Sequence, residues 1–80
     1  MVVWSEPAKQ DLQQIYNYIA RDSEFYAKKV INEIVEKSEI LNKHHEFGRP
    51  VPELEDKNIR QLLIYSYRLI YEIAFDNIDI

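Results

Sequence analysis

Two arginines and three tyrosines, Arg60, Tyr65, Tyr67, Arg68 and Tyr71, are the side chains whose types and spacing best suit chemistry. An arginine fork donates two parallel hydrogen bonds and keeps its charge, so it can neutralise a transferring phosphate or clamp a carboxylate. A tyrosine can stack on a base or move a proton, and the combination would suit RNA cleavage. A structural reading competes: the tyrosines fill a core and the arginines sit in ion pairs. Strand alternation places Tyr67, Leu69, Tyr71, Ile73 and Phe75 on one face and Arg68, Ile70, Glu72 and Ala74 on the other. Arg68 therefore either pairs, with Glu72 on its own face as the expected partner, or faces water or another molecule.

Other constellations are fragmentary. His44 and His45 are adjacent, so their side chains diverge, and no third ligand has metal-site spacing. Glu53, Glu55 and Asp56 lie in a polar stretch with no apolar pocket to raise a pKa, which reads as a solvated loop. Ser5, Ser23, Ser38 and Ser66 form no nucleophile elbow, and a single glycine excludes a phosphate-cradling loop. Cysteine is absent, which removes disulfides and thiolate chemistry and fits a reducing compartment. Neither a metal nor a cofactor is expected. No apolar stretch approaches the roughly 18 residues of a membrane span, and the amino terminus lacks a signal-peptide pattern, so a cytoplasmic protein is expected. The formal charge of -4 argues against a generally cationic nucleic-acid surface. Arg49, Arg60 and Arg68 nevertheless gather in the second half, beside the acidic loop.

The elements that would position these groups follow from periodicity and caps. Residues 2 to 4 read as a short strand, and Ser5 followed by Glu6 and Pro7 reads as a helix start. Ala8, Leu12, Ile15, Tyr16 and Ile19 recur at helical spacing to about Arg21. Asp22 and Ser23 interrupt that pattern and cap a second helix with the stripe Ala27, Val30, Ile31, Ile34, Val35 and Leu41. His44 to Asn58 reads as a long connection containing Gly48, Pro50 and Pro52. Ile59 to Tyr65 and Tyr67 to Phe75 read as antiparallel strands joined near Ser66. Asp76 and Asn77 suit a further turn, after which Ile78 to Ile80 begins a strand and stops. The expected fold is α+β in a single domain over residues 1–80, with an amino-terminal strand and a two-helix hairpin packed on a small antiparallel sheet. Its last strand is expected to be truncated.

Three segments resemble the RelE/ParE superfamily of toxins from bacterial type II toxin-antitoxin modules. AKQDLQQIYNYIARDS, Ala8 to Ser23, is similar to the family's first helix. FGRPVPEL, Phe47 to Leu54, resembles the connection after the helical hairpin, and IRQLLIYSYRLIYEI, Ile59 to Ile73, resembles the arginine-led strand and the following Tyr-Arg-x-x-Tyr strand. The likeness is greatest to the ParE, or plasmid-stabilisation, branch. The resemblance implies a toxin neutralised by a ParD- or RelB-like antitoxin, acting on DNA gyrase in the ParE branch or cutting messenger RNA on the ribosome in the RelE branch. It implies a homodimer or a toxin-antitoxin hetero-oligomer. RNA-cleaving relatives carry lysines where this chain has Ile59 and Gln61, so gyrase is the expected target. Were the chain a ribonuclease, Arg68 with Tyr67 or Tyr71 would be its catalytic residues. As a gyrase-directed toxin, its expected antitoxin or target contacts are Arg49, Arg60, Arg68, Tyr65 and Tyr67. The family continues past the position matching Ile80 into a last strand and basic tail, so a shortened, non-toxic antitoxin-binding protein is a third expectation.

Overall fold

The computed structural model describes Met1–Ile80 throughout. Its elements run β1 (Val2–Val3), α1 (Glu6–Ala20), α2 (Glu24–Glu39), β2 (Arg49–Pro50), β3 (Ile59–Ile64), β4 (Tyr67–Ile73) and β5 (Ile78–Asp79), with a 3-10 turn over Ile40–Asn42. The α+β reading holds. Both helix starts are set by serine caps: Ser5 Oγ accepts from the Ala8 N–H at 3.2 Å, and Ser23 Oγ accepts from the Tyr26 N–H at 3.1 Å. Each satisfies one of the donors a helix leaves orphaned at its first turn.

The five strands form one sheet in the order β1-β5-β4-β3-β2. The sheet is mixed where an antiparallel one was expected, because β1 pairs parallel with β5 through Val2↔Ile78 and Val3↔Asp79. β2 lies inside the stretch read as a connection and pairs antiparallel with β3 through Arg49↔Gln61 and Pro50↔Arg60. A proline is tolerated there because β2 is an edge strand. β4 stops at Ile73, short of Phe75, where the Ala74 N–H bonds the Asn77 carbonyl at 2.9 Å and closes the turn to β5. Phe75 consequently leaves the core face and is fully exposed at 101%.

β3 also ends one residue earlier than its apolar run, at Ile64. Tyr65 and Ser66 form a two-residue hairpin turn with Tyr65 at φ 55, the left-handed value that such turns require at their first central position. A glycine or asparagine normally takes that role, and a tyrosine there is strained by about 1–2 kcal/mol.

The core lies between α2 and the sheet. Val30 and Ile34 of α2 pack with Leu41, Leu62, Ile64, Leu69, Tyr71 and Ile78. Val35, expected in the same stripe, is instead exposed, while Ser38 is buried and donates to the Val35 carbonyl at 2.6 Å. By contrast α1 has no fully buried residue. Leu12 and Ile19 only flank the core.

Candidate functional site

Both helices cover one face of the sheet and leave the other open. Cross-strand partners share a face, so the pairs Leu62↔Leu69 and Ile64↔Tyr67 look toward the helices and Leu63↔Arg68 and Gln61↔Ile70 look away. Arg49, opposite Gln61, belongs to the open face as well. That face exposes Leu63 at 67% and Ile70 at 42%, beside the Arg49 and Arg68 side chains. Two unpaired aliphatic residues flanked by guanidinium groups make a surface fit for a partner that is apolar and acidic.

Arg68 does not pair with Glu72. Its Nη1 donates to Glu53 Oε2 at 2.9 Å, to Glu53 Oε1 at 3.2 Å and to Gln61 Oε1 at 3.1 Å. Glu53 belongs to the acidic loop after β2, which curls under the open face, while the pairing Ile59↔Glu72 keeps Glu72 at the far end of β4. The bond from Arg68 holds the Glu53 carboxyl below its ordinary value of 4.5. A depressed carboxyl contributes stability above its unfolded pKa and loses it as pH falls through the folded one. The contact therefore loosens below the usual carboxylate range. The side chains remain 43% and 58% exposed, so the pair is a screened surface contact.

The other residues singled out from sequence fall in different places. Arg60 faces the helix side opposite Tyr71, donating from Nε to the Lys57 carbonyl and from Nη1 to the Gly48 carbonyl, both at 3.0 Å. It braces the connection. Tyr71 is buried to 1% exposure, and its hydroxyl donates to the His45 carbonyl at 2.8 Å while accepting from the Gly48 N–H at 3.0 Å. Burial pushes its phenol upward. Tyr67 is half-buried at the edge of the helix side, and Tyr65 is exposed in the turn. Arg68 and Tyr71 thus lie on opposite faces, and no cleft brings the five together. Among the histidines, His44 and His45 are exposed, and no trio of His, Asp or Glu converges on them.

The Glu33 carboxylate of α2, beside the Tyr65 hydroxyl, pushes that phenol up from 10.0 to about 12. A raised tyrosine pKa means that the fold favours the neutral form, so its contribution is complete below the unfolded value and fades as pH rises through the folded one. Stability should therefore decline slightly between about pH 10 and about pH 12 as the exposed phenol beside Glu33 ionises. A tyrosinate absorbance titration checks this: Tyr65→Phe should delete one high-titrating phenol and flatten the alkaline decline. An unchanged titration curve would place Glu33 elsewhere.

Sequence reasoning missed Glu53 and Gln61 as partners of Arg68, and Leu63 and Ile70 as exposed members of its face. The alternation rule placed Ile70 beside Arg68 but carried no information on which face the helices cover.

This strand order, with a capped helical hairpin on one face, is accompanied by a family match. The model for the ParE toxin of the type II toxin-antitoxin system parDE matches residues 2–80. The chain belongs to the ParE toxin family. Among solved structures, a chain of the chromosomal ParDE TA system from P. aeruginosa aligns with a TM-score of 0.78 and 24% identity, over 99% of this chain and 87% of that one. At that identity the likeness speaks for the ParE fold alone. No curated protein sequence matches. No helix of this ParE-family chain is long and apolar enough to cross a membrane.

Proposed function

We propose that this ParE-family toxin acts inside the bacterial cell on DNA gyrase, and that its antitoxin neutralises it by docking on the open face of the sheet. Arg49 and Arg68 receive the antitoxin's carboxylates there, Leu63 and Ile70 its apolar side chains, and Tyr65 and Tyr67 border the contact. One observation favours this over RNA cleavage: Arg68 and Tyr71 lie on opposite faces, and the Tyr71 hydroxyl is already committed to two backbone groups. Cleavage needs a proton acceptor and a cation converging on one phosphate. An overall charge of -4 also gives RNA little general attraction.

Induced expression with and without antitoxin, followed by supercoiling and cleavage-complex assays on purified gyrase, tests the target. Accumulated cleavage complexes are expected. Codon-phased cuts in translated messages, read by primer extension, would replace this reading with ribosome-dependent cleavage. Growth unaffected while antitoxin binding persists would leave an antitoxin-sequestering protein instead.

Arg68→Gln tests the docking face. Because both ends of the Arg68–Glu53 pair are half exposed and screened by solvent, stability should hardly change. Antitoxin affinity should fall about 10- to 100-fold, the effect of removing a charge-assisted hydrogen bond. Calorimetric titration beside urea denaturation reads both quantities. Equal affinity in the variant would move the interface off this face.

A further inference from the structure

The carboxylate that occupies Arg68 comes from the loop between β2 and β3, and the way that loop is held bears on how the open face receives a partner. Val51 is buried, and its N–H bonds the Ile59 carbonyl at 3.2 Å, so the loop leaves the sheet from a fixed point. It returns at another: Asp56 accepts from the Asn58 N–H through Oδ1 at 2.9 Å and from the Ile59 N–H through its carbonyl at 3.1 Å. Between these anchors Pro52, Glu53, Leu54 and Glu55 are all exposed. Glu53 is the one side chain among them that hydrogen-bonds the sheet, and it does so only through Arg68. The loop is pinned at both ends and tied across the face at a single, solvent-exposed point.

That tie sits where a partner must land. Arg68 lies directly opposite Leu63 and two positions from Ile70 on the same strand, so a carboxylate that reaches it arrives beside both aliphatic residues. Nη1 carries two N–H groups, and its three acceptors, the two Glu53 oxygens and Gln61 Oε1, use both. Gln61 is fixed within β3, whereas Glu53 stands on the exposed loop. Of the two, Glu53 is therefore the group that can give way. A carboxylate approaching while Glu53 stays in place would meet a cation already neutralised and a like charge beside it.

We infer that Glu53 is a displaceable stand-in for the partner's carboxylate: it neutralises Arg68 in the free toxin, and on docking an antitoxin carboxylate takes its place while the middle of the loop swings off the face. This rests on the reading that the antitoxin docks on the open face. One carboxylate replaces another, so the number of ion pairs is unchanged and the gain on docking comes from covering Leu63 and Ile70. An anion that brings no apolar side chains with it breaks one bond at Arg68 to make one. Glu53 is thus a specificity-determining residue, reserving the arginine for a ligand that is acidic and apolar together.

Calorimetric titration of the purified cognate antitoxin into toxin variants, beside trypsin digestion of each free toxin, tests the exchange. Glu53→Ala should raise antitoxin affinity about two- to fivefold, the range set by one exposed ion pair. Glu55→Ala removes a charge of the same sign from the same loop without touching Arg68, and should leave affinity within about 1.5-fold of native. The gain from Glu53→Ala should vanish in an Arg68→Gln background and persist in Arg49→Gln. Affinity of the native toxin should vary less with salt between about 50 mM and about 500 mM than that of Glu53→Ala, whose Arg68 enters the complex without an ion pair to give up. Trypsin reports the tie with no partner present: Lys57 is exposed in the loop, and cleavage after it should be several-fold faster in both Glu53→Ala and Arg68→Gln. Affinity that falls in Arg68→Gln but ignores Glu53→Ala overturns the exchange and leaves the docking face standing. Equal gains from Glu53→Ala and Glu55→Ala reduce the effect to general loop charge and overturn it too, as does unchanged cleavage at Lys57. Affinity indifferent to Arg68→Gln removes the docking face itself, and the exchange with it.

Discussion

Gly48→Ala is expected to unfold much of the protein at growth temperature. A Cβ at that position would lie 2.5 Å from the Gln61 carbonyl oxygen, 2.7 Å from the Tyr71 hydroxyl and 2.9 Å from Tyr71 Cε1. The first of these is backbone within β3, held by its pairing with β2, so it has little freedom to withdraw. The glycine is required for space, since its φ is not positive. Overpacking a tight site costs about 1–3 kcal/mol and sometimes more, and a rigid carbonyl this close puts the expected loss near the top, at about 3 kcal/mol. A chain of 80 residues has about 4–12 kcal/mol in total. Urea denaturation should show the midpoint falling by about 1–3 M. A midpoint within error of the native protein would mean that Gly48 does not lie against the Gln61 carbonyl and Tyr71 as described.

The second large effect belongs to Tyr71 itself. Tyr71→Phe keeps the ring in the core but removes the hydroxyl that accepts from the buried Gly48 N–H and donates to the His45 carbonyl. Leaving a buried group unsatisfied costs about 1–3 kcal/mol, so a loss of about 2–4 kcal/mol is expected across the two bonds. The double variant with Gly48→Ala should lose less than the sum, because the shorter side chain relieves one of the three overlaps. Gyrase and antitoxin measurements on the folded fraction should be unaffected. Normal stability combined with lost activity would instead assign this tyrosine to the chemistry.

Much of the scaffold is legible from local pattern, because helices and long strands announce themselves within a few residues. Ser5 and Ser23 precede apolar stripes at helical spacing and cap both helices as expected. Tyr67 to Ile73 alternates cleanly and forms β4. The short strands at the two ends, β1 and β5, fall within the stretches read as strands, but β2 gives no such signal: two residues containing Pro50 are indistinguishable from a turn until their partner is known. The parallel pairing of β1 with β5 joins opposite ends of the chain, beyond the reach of any periodicity. Side-chain partners proved least predictable. Arg68 finds Glu53 fifteen positions away, and Tyr71 reaches the His45 carbonyl twenty-six positions back. Such pairings are decided by how a loop closes over the sheet.

The joining of the two ends has a consequence for biosynthesis. The Ser5 N–H bonds the Ile80 carbonyl at 2.7 Å, and the Ile78 and Ile80 N–H groups bond the Met1 and Val3 carbonyls, each at 2.8 Å. On a ribosome the first residues made must wait for residues 78–80 to leave the exit tunnel before these links can form. Closing so long a loop is entropically unfavourable and slow. The nascent sheet therefore stays open along β1 until residues 78–80 have emerged, however early the helical hairpin has formed.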